Sequence, residues 1–290
     1  MFTTPTTHPI ITGRVRKFGA LAISVGLVAL ASACGDDASA QYSARPSVTF
    51  TATDTTVTAP TEVPSGFVDV HIHSTGTIGH HLFFARLNDG VTLDEFLADE
   101  DPNAFFTKLT VHGGNGTVAA GEDVSMTLDL KPGNYFALDN PQNENSPTAA
   151  FTVVDRHSTA SEPKAKGVVT LGPGMLINVP DDFDATGTWE FVNKDTAEVH
   201  EAALVKLAAG ADVSDVVEWA QTFEGEPPFD GESGSMGALG PGQRAWITLE
   251  PGAPGDYALI CFVPGRDGKP HVMKGMIRHV TVGQLPAGTP

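Results

Sequence analysis

The chain has 290 residues, with 35 Asp+Glu against 17 Lys+Arg and a formal charge of −18. So acidic a composition argues against nucleic-acid binding and against a polybasic hold on anionic lipid. With 31 Gly, 21 Pro and only short aliphatic runs, it reads as an all-β protein long enough for two domains of ordinary size.

In chain order, a basic stretch (Arg14, Arg16, Lys17) precedes an apolar run from Phe18 to Ala33. As a helix that run spans about 24 Å, short of a hydrocarbon core of ~30 Å, and it ends in the small residues of "LASAC". This pattern is expected of an export signal over residues 1–33 and not of a membrane span. "LASAC" resembles the lipobox of bacterial lipoproteins, which implies that Cys34 is acylated after cleavage. The protein is then extracytoplasmic, anchored to the bacterial cell membrane by lipid. The alternative is an ordinary cleaved signal with an incidental cysteine. Residues 34–46 follow as a flexible tether.

The rest contains an internal repeat. "GHHLFFARLNDGVTLDEFLAD" from Gly79 matches "VHEAALVKLAAGADVSDVVEW" from Val199, with His80 opposite His200 and Gly90 opposite Gly210. "PGNYFAL" (Pro132–Leu138) matches "PGDYALI" (Pro254–Ile260). The repeat divides the chain into a first copy at 47–155, a polar linker at 156–166, a second copy at 167–284 and a tail at 285–290. Each copy is expected to open with a strand ("VTFTATDTTVTAP", "VVTLGPGMLINVP"), followed by a second ("GFVDVHIH", "GTWEFVN"). A histidine then leads into an apolar strand and a short acidic helix, which Thr92 and Glu95 cap in the first copy. A glycine-rich turn, a strand ("DVSMTLDL", "RAWITLE"), the Pro-Gly turn with its strand, and a closing strand complete the copy. The fold class is all-β: two tandem Greek-key β-sandwich domains, each with a short helical insertion.

If Cys34 is acylated, Cys261 has no disulfide partner and must be protected by burial or by a ligand. His200, Cys261, His271 and Met276 together offer two imidazoles, a thiolate and a weak thioether, the ligands of a blue-copper centre. The second copy resembles the cupredoxin family in "FVNKDTAEVH" ending at His200, "GDYALIC" ending at Cys261, and "HVMKGM" giving His271 and Met276. The His-x4-Met spacing and the long loop from Cys261 to His271 are similar to those of copper nitrite reductases. The resemblance implies one type 1 copper per chain and a single-electron carrier that serves a redox partner protein. Asn193 reads either as a hydrogen-bonding support of the ligand turn or as a plain turn residue. Ile260 stands where those reductases place a histidine for a second copper, so a carrier and not an enzyme is expected.

Other readings stay open. Cys261 is also compatible with a small core residue, His271 with a turn residue after Lys269-Pro270, and Met276 with a strand-start hydrophobe. A metal-free adhesion or interaction lipoprotein, or a copper storage or delivery protein, would use the same fold. Met273 fits no expected ligand spacing, and His279 reads as a strand residue. In the first copy Asp139 stands opposite Cys261, so no blue-copper site is expected there. His71, His73, His80, His81 and His112 leave room for a separate, weaker surface site for copper or zinc.

Overall fold

The computed structural model describes residues 45–99, 107–139, 146–156, 159–250 and 252–283. The expected leader, the acylation residue Cys34, most of the tether and the C-terminal tail lie outside the described residues. Among the described residues no helix is long and apolar enough to cross a membrane.

The first copy runs β1 (Ser47–Thr53), β2 (Thr56–Thr58), β3 (Glu62–Pro64), β4 (Gly66–Ser74), β5 (Leu82–Leu87), α1 (Leu93–Leu97), β6 (Leu109–Gly114), β7 (Asp123–Leu130), β8 (Gly133–Asp139) and β9 (Thr148–Val154). The second runs β10 (Val168–Leu171), β11 (Ile177–Asn178), β12 (Gly187–Asn193), β13 (His200–Leu207), α2 (Val213–Trp219), β14 (Phe229–Leu239), β15 (Arg244–Leu249), β16 (Gly255–Ile260) and β17 (Ile277–Val282). The all-β class and the helical insertions are as expected. Thr92 caps α1 with a reciprocal bond from Glu95, and Asp212 caps α2 with Asp215 in the same way.

Strand periodicity builds the sandwiches. In β4, Val68, Val70 and Ile72 are buried while Phe67, Asp69, His71 and His73 alternate onto the other face. The buried set packs Phe50 edge-on against Phe84 and Phe151, with ring centroids 4.8 and 5.3 Å apart. Burial of such side chains contributes roughly 1.5–3 kcal/mol each.

Two expectations need correction. Each opening strand is a hairpin. The Thr53–Thr56 turn separates β1 from β2, and Gly172 and Gly174, both at positive φ, turn β10 into β11. The glycine-rich segments expected as turns are strands, β6 and β14. Their glycines serve close approach. A Cβ on Gly237 would lie 2.7 Å from the Asn115 carbonyl oxygen, and one on Gly240 would lie 2.9 Å from that of Val111. Here the two copies meet: the Gly116 N–H donates to Ser235 O at 3.1 Å and the Gly240 N–H to Val111 O at 2.8 Å.

The copies are also joined within a sheet. β15 pairs antiparallel with β7 through Ala245–Leu128, Trp246–Thr127 and Ile247–Met126. The result is one eight-stranded sheet in the order β11-β10-β12-β15-β7-β4-β1-β2. The five-stranded sheet β3-β9-β8-β5-β6 and the four-stranded sheet β14-β13-β16-β17 complete the layers. Buried side chains form one contiguous cluster through both copies, from Phe50 and Leu128 to Ala245 and Leu259. The linker lies on this seam, where Arg244 pairs with Glu162 at 2.9 Å and stacks 4.8 Å above the Trp246 ring.

Candidate metal centre

β12, β13, β16 and the turn before β17 bring the expected site residues to one end of the second copy. His200 opens β13, Cys261 directly follows β16, His271 begins a single 3-10 turn (His271–Lys274), and Met276 directly precedes β17. All four are fully buried. The long segment between Cys261 and His271 does not carry the histidine away. It doubles back as a small hairpin, with the Gly265 N–H donating to Lys269 O at 3.0 Å and the His271 N–H to Val263 O at 3.1 Å. The Val272 N–H then reaches Cys261 O at 2.8 Å, and the Cys261 N–H reaches Met276 O at 3.1 Å. Gly275, at φ 90°, ends the 3-10 turn in the left-handed conformation that glycine adopts without strain.

His271 Nδ1 lies 3.0 Å from His200 Nδ1 and 3.4 Å from Cys261 Sγ. Among the described residues, His200, Cys261 and His271 form the one group of three His, Cys, Asp or Glu side chains close enough to share an ion. The two separations at His271 suit a shared ion at the usual bond lengths of about 2.0–2.3 Å to imidazole and thiolate, and all three donor atoms lie within 4.8 Å of one another. The donor chemistry fits as well. Burial lowers the His200 pKa, while Asp195 opposes the shift. Burial, with His200 and Lys274 adding to it, brings His271 to about 4. Both rings are therefore neutral at pH 7 and keep a lone pair. Burial, reinforced by the charge of Glu201, pushes the Cys261 thiol well up, so an incoming cation must displace its proton.

Around these donors stands a set of polar side chains that are not themselves ligands. Asn193, at the end of β12, donates through Nδ2 to Glu198 O at 2.9 Å and Leu239 O at 2.8 Å, and its Oδ1 accepts from the Asp195 N–H at 2.9 Å. It therefore ties the ligand turn to β14, which is more than a plain turn residue would do. Asp195 Oδ1 accepts from the Ala197 and Glu198 N–H groups, while Oδ2 lies 3.3 Å from His200 Nε2. A carboxylate on the outer nitrogen turns the Nδ1 lone pair of His200 inward. Gly172 leaves room for this, because a Cβ there would come 2.9 Å from His200 Nε2. Buried Glu201 donates its N–H to Cys261 Sγ at 3.4 Å and accepts from the Phe262 N–H at 2.7 Å.

The remaining candidates lie elsewhere. Met273 packs in the outer cluster beside Phe262 and Trp219, whereas Met276 shares the inner core with Cys261. Ile260 belongs to the outer cluster, on the opposite strand face from Cys261. His279 lies exposed on β17, 3.0 Å from Asp256 Oδ1. In the first copy His80 Nδ1 is bonded to Asp139 Oδ2 at 2.6 Å, both fully buried, and the His81 N–H donates to Asp139 Oδ1 at 2.9 Å. A buried hydrogen-bonded pair thus occupies the positions matching His200 and Cys261. His71 bonds Ser125 at 2.7 Å and His73 bonds Asp123 at 2.5 Å on the exposed sheet face. His112 is buried against Tyr135. These histidines join no three-donor group among the described residues.

No family model and no curated protein matches the chain. Similar solved structures include the Na-dithionite-reduced auracyanin of the photosynthetic bacterium Roseiflexus castenholzii. It is 28% identical, with 41% of this chain and 99% of that chain covered and a TM-score of 0.29. The copper-containing nitrite reductase of Thermus scotoductus SA-01 is 12% identical, with 83% and 62% covered and a TM-score of 0.24. Fet3p, a multicopper oxidase that functions in iron import, is 10% identical, with 85% and 67% covered and a TM-score of 0.26. The His–Cys–His group that the cupredoxin resemblance implies is present in this structure.

Proposed function

We propose that this chain is an extracytoplasmic copper protein that carries single electrons, held to the membrane through acylated Cys34. The observation that carries the reading is the convergence of two neutral imidazoles and a thiol, all fully buried, at one end of a rigid sandwich. Copper bound to such a set supplies a one-electron couple. His200 and His271 would offer their Nδ1 lone pairs, Cys261 its sulfur after losing a proton, and Met276 a weak axial thioether. Asn193 and Asp195 hold His200 in place, and the hairpin from Val263 to Lys269 holds His271, so the donors need little rearrangement between oxidation states. Complete burial keeps water and small-molecule substrates from the ring nitrogens, which suits electron exchange more than turnover. Ile260 offers no ligand to a second metal, and the buried His80–Asp139 pair leaves the first copy without an equivalent centre. The partner is a redox protein, not a nucleic acid.

Copper loading tests the reading. The Cu(II)-loaded protein should bind about one copper per chain and show an intense visible charge-transfer band. Cys261→Ser should abolish the band while circular dichroism shows the fold intact. A colourless wild-type protein that retains no copper on metal analysis would sink the assignment. Cell fractionation tests the anchor: wild type is expected with membranes and Cys34→Ala in the soluble or unprocessed fraction. Wild-type protein found wholly in the soluble fraction would remove the lipid anchor from the reading.

A further inference from the structure

The outer nitrogen of His271 is the least explained atom of the centre. His271 Nε2 lies 3.8 Å from Glu198 Oε2, and both atoms are buried without a hydrogen-bond partner. The His271 ring is fully buried, and the Glu198 side chain is 18% exposed although its Oε2 is covered. Gly265 closes over the ring, since a Cβ there would lie 3.0 Å from His271 Nε2 and 2.7 Å from Lys274 Nζ. The Glu198 main chain is fixed as well, its N–H bonded to Asp195 Oδ1 and its carbonyl to Asn193. An ordinary N–H···O bond measures about 2.7–3.2 Å, so the two atoms face each other just beyond bonding distance.

Proton bookkeeping at the ring nitrogens accounts for the gap. A contact of 3.0 Å between His200 Nδ1 and His271 Nδ1 requires a proton on one of them. Asp195 favours the proton of His200 on Nε2, which makes His200 Nδ1 the acceptor and leaves His271 with its proton on Nδ1. His271 Nε2 is then a bare lone pair aimed at a carboxylate, and two acceptors do not bond.

Resting on the copper reading above, we propose that Glu198 is a positioning residue that selects the metal-ready tautomer of His271. With the Nδ1 lone pairs of His200 and His271 given to a metal, the His271 proton would sit on Nε2 of the same ring, where it would donate to Glu198. The segment 194–199 thereby clamps both imidazoles from outside, with Asp195 on His200 in either state and Glu198 on His271 when metal is bound. Loss of an outer-nitrogen partner typically weakens metal binding by about 10–100-fold.

Glu198→Gln separates the two states. Its amide N–H can donate to the bare Nε2 of the metal-free protein, so metal-free Glu198→Gln should melt above metal-free wild type. The loaded variant should bind Cu(II) about tenfold more weakly. With Cu(I) binding unchanged, that is an upward shift of about 59 mV in reduction potential. In 15N NMR spectra of the metal-free wild type, His271 should carry its proton on Nδ1 and leave Nε2 bare. The proposal is overturned if metal-free Glu198→Gln melts at or below wild type, or if His271 of the metal-free wild type carries its proton on Nε2. A loaded variant with unshifted affinity and potential also overturns it. If wild type takes up no copper, the copper reading fails, and the two metal-free measurements still decide the role of Glu198.

Discussion

Single side chains show how burial assigns a role to each histidine. In the first copy His80 is held by Asp139, whereas His112 is buried with the Tyr135 hydroxyl 3.3 Å from Nε2. Burial dominates at His112 and lowers its pKa to about 4, against an ordinary value of 6.5, with the Asp129 backbone opposing the shift. The folded protein therefore resists protonation that the unfolded chain accepts. The stability that comes from keeping this ring neutral is complete above pH 6.5 and is lost as pH falls toward 4. A difference of about 2.5 pH units corresponds to roughly 3 kcal/mol. In urea unfolding, wild type should lose about that much more stability than His112→Gln between pH 7 and pH 4. Equal losses would refute the assignment. The same scale shows what the sequence could disclose about the candidate centre. His200, Cys261, His271 and Met276 are legible because thiolate, imidazole and thioether are rare types in a telling order. Asp195, Glu198 and Glu201 are not legible as site residues. In a chain with 35 acidic residues a carboxylate reads as solvent-facing, and only the fold turns these three inward.

Elements were legible where local chemistry decides them. The alternation in "GFVDVHIH" and the Thr92–Glu95 box lead directly to β4 and α1. Glycine misleads for a physical reason: it marks turns through positive φ, but it also marks places where two backbones touch. Gly231 and Gly234 have positive φ inside β14, where the pairing with β13 shifts register repeatedly. Bulges of that kind need glycine and still belong to a strand. Gly114 in β6 is a strand residue for the other reason, and Gly113, at φ 139° beside a register shift, combines both. A Cβ on Gly114 would lie 2.4 Å from Leu82 O, and one on Gly113 would lie 2.9 Å from a Leu128 methyl. Such approaches depend on residues far away in the chain, so no local pattern distinguishes them from loop glycines. The ligand hairpin is the converse case. Its length suggests a detour, but the Gly265–Lys269 closure keeps His271 beside Cys261.

At the scale of the molecule, the shared sheet makes the two copies one structural unit. The first copy lays Ala85, Leu87, Val111 and Phe136 against Val199, Ala238 and Val263 of the second, residues that flank the candidate ligands. All three tryptophans, Trp189, Trp219 and Trp246, lie in the second copy, so their fluorescence reports that half while circular dichroism reports both. The two signals should follow a single urea transition. Gly237→Val, which drives a side chain into the Asn115 carbonyl, should split them. Separate transitions in wild type would show that the copies fold independently. The pairing of β15 with β7 also sets an order of events during synthesis. β7 leaves the ribosome about 120 residues before β15, and at about 5–20 residues per second it waits roughly 6–24 s with one edge bare. An open edge is a template for pairing with any available strand. The newborn first copy is thus exposed to self-association for that interval, and only the arrival of the chain's own β15 ends it.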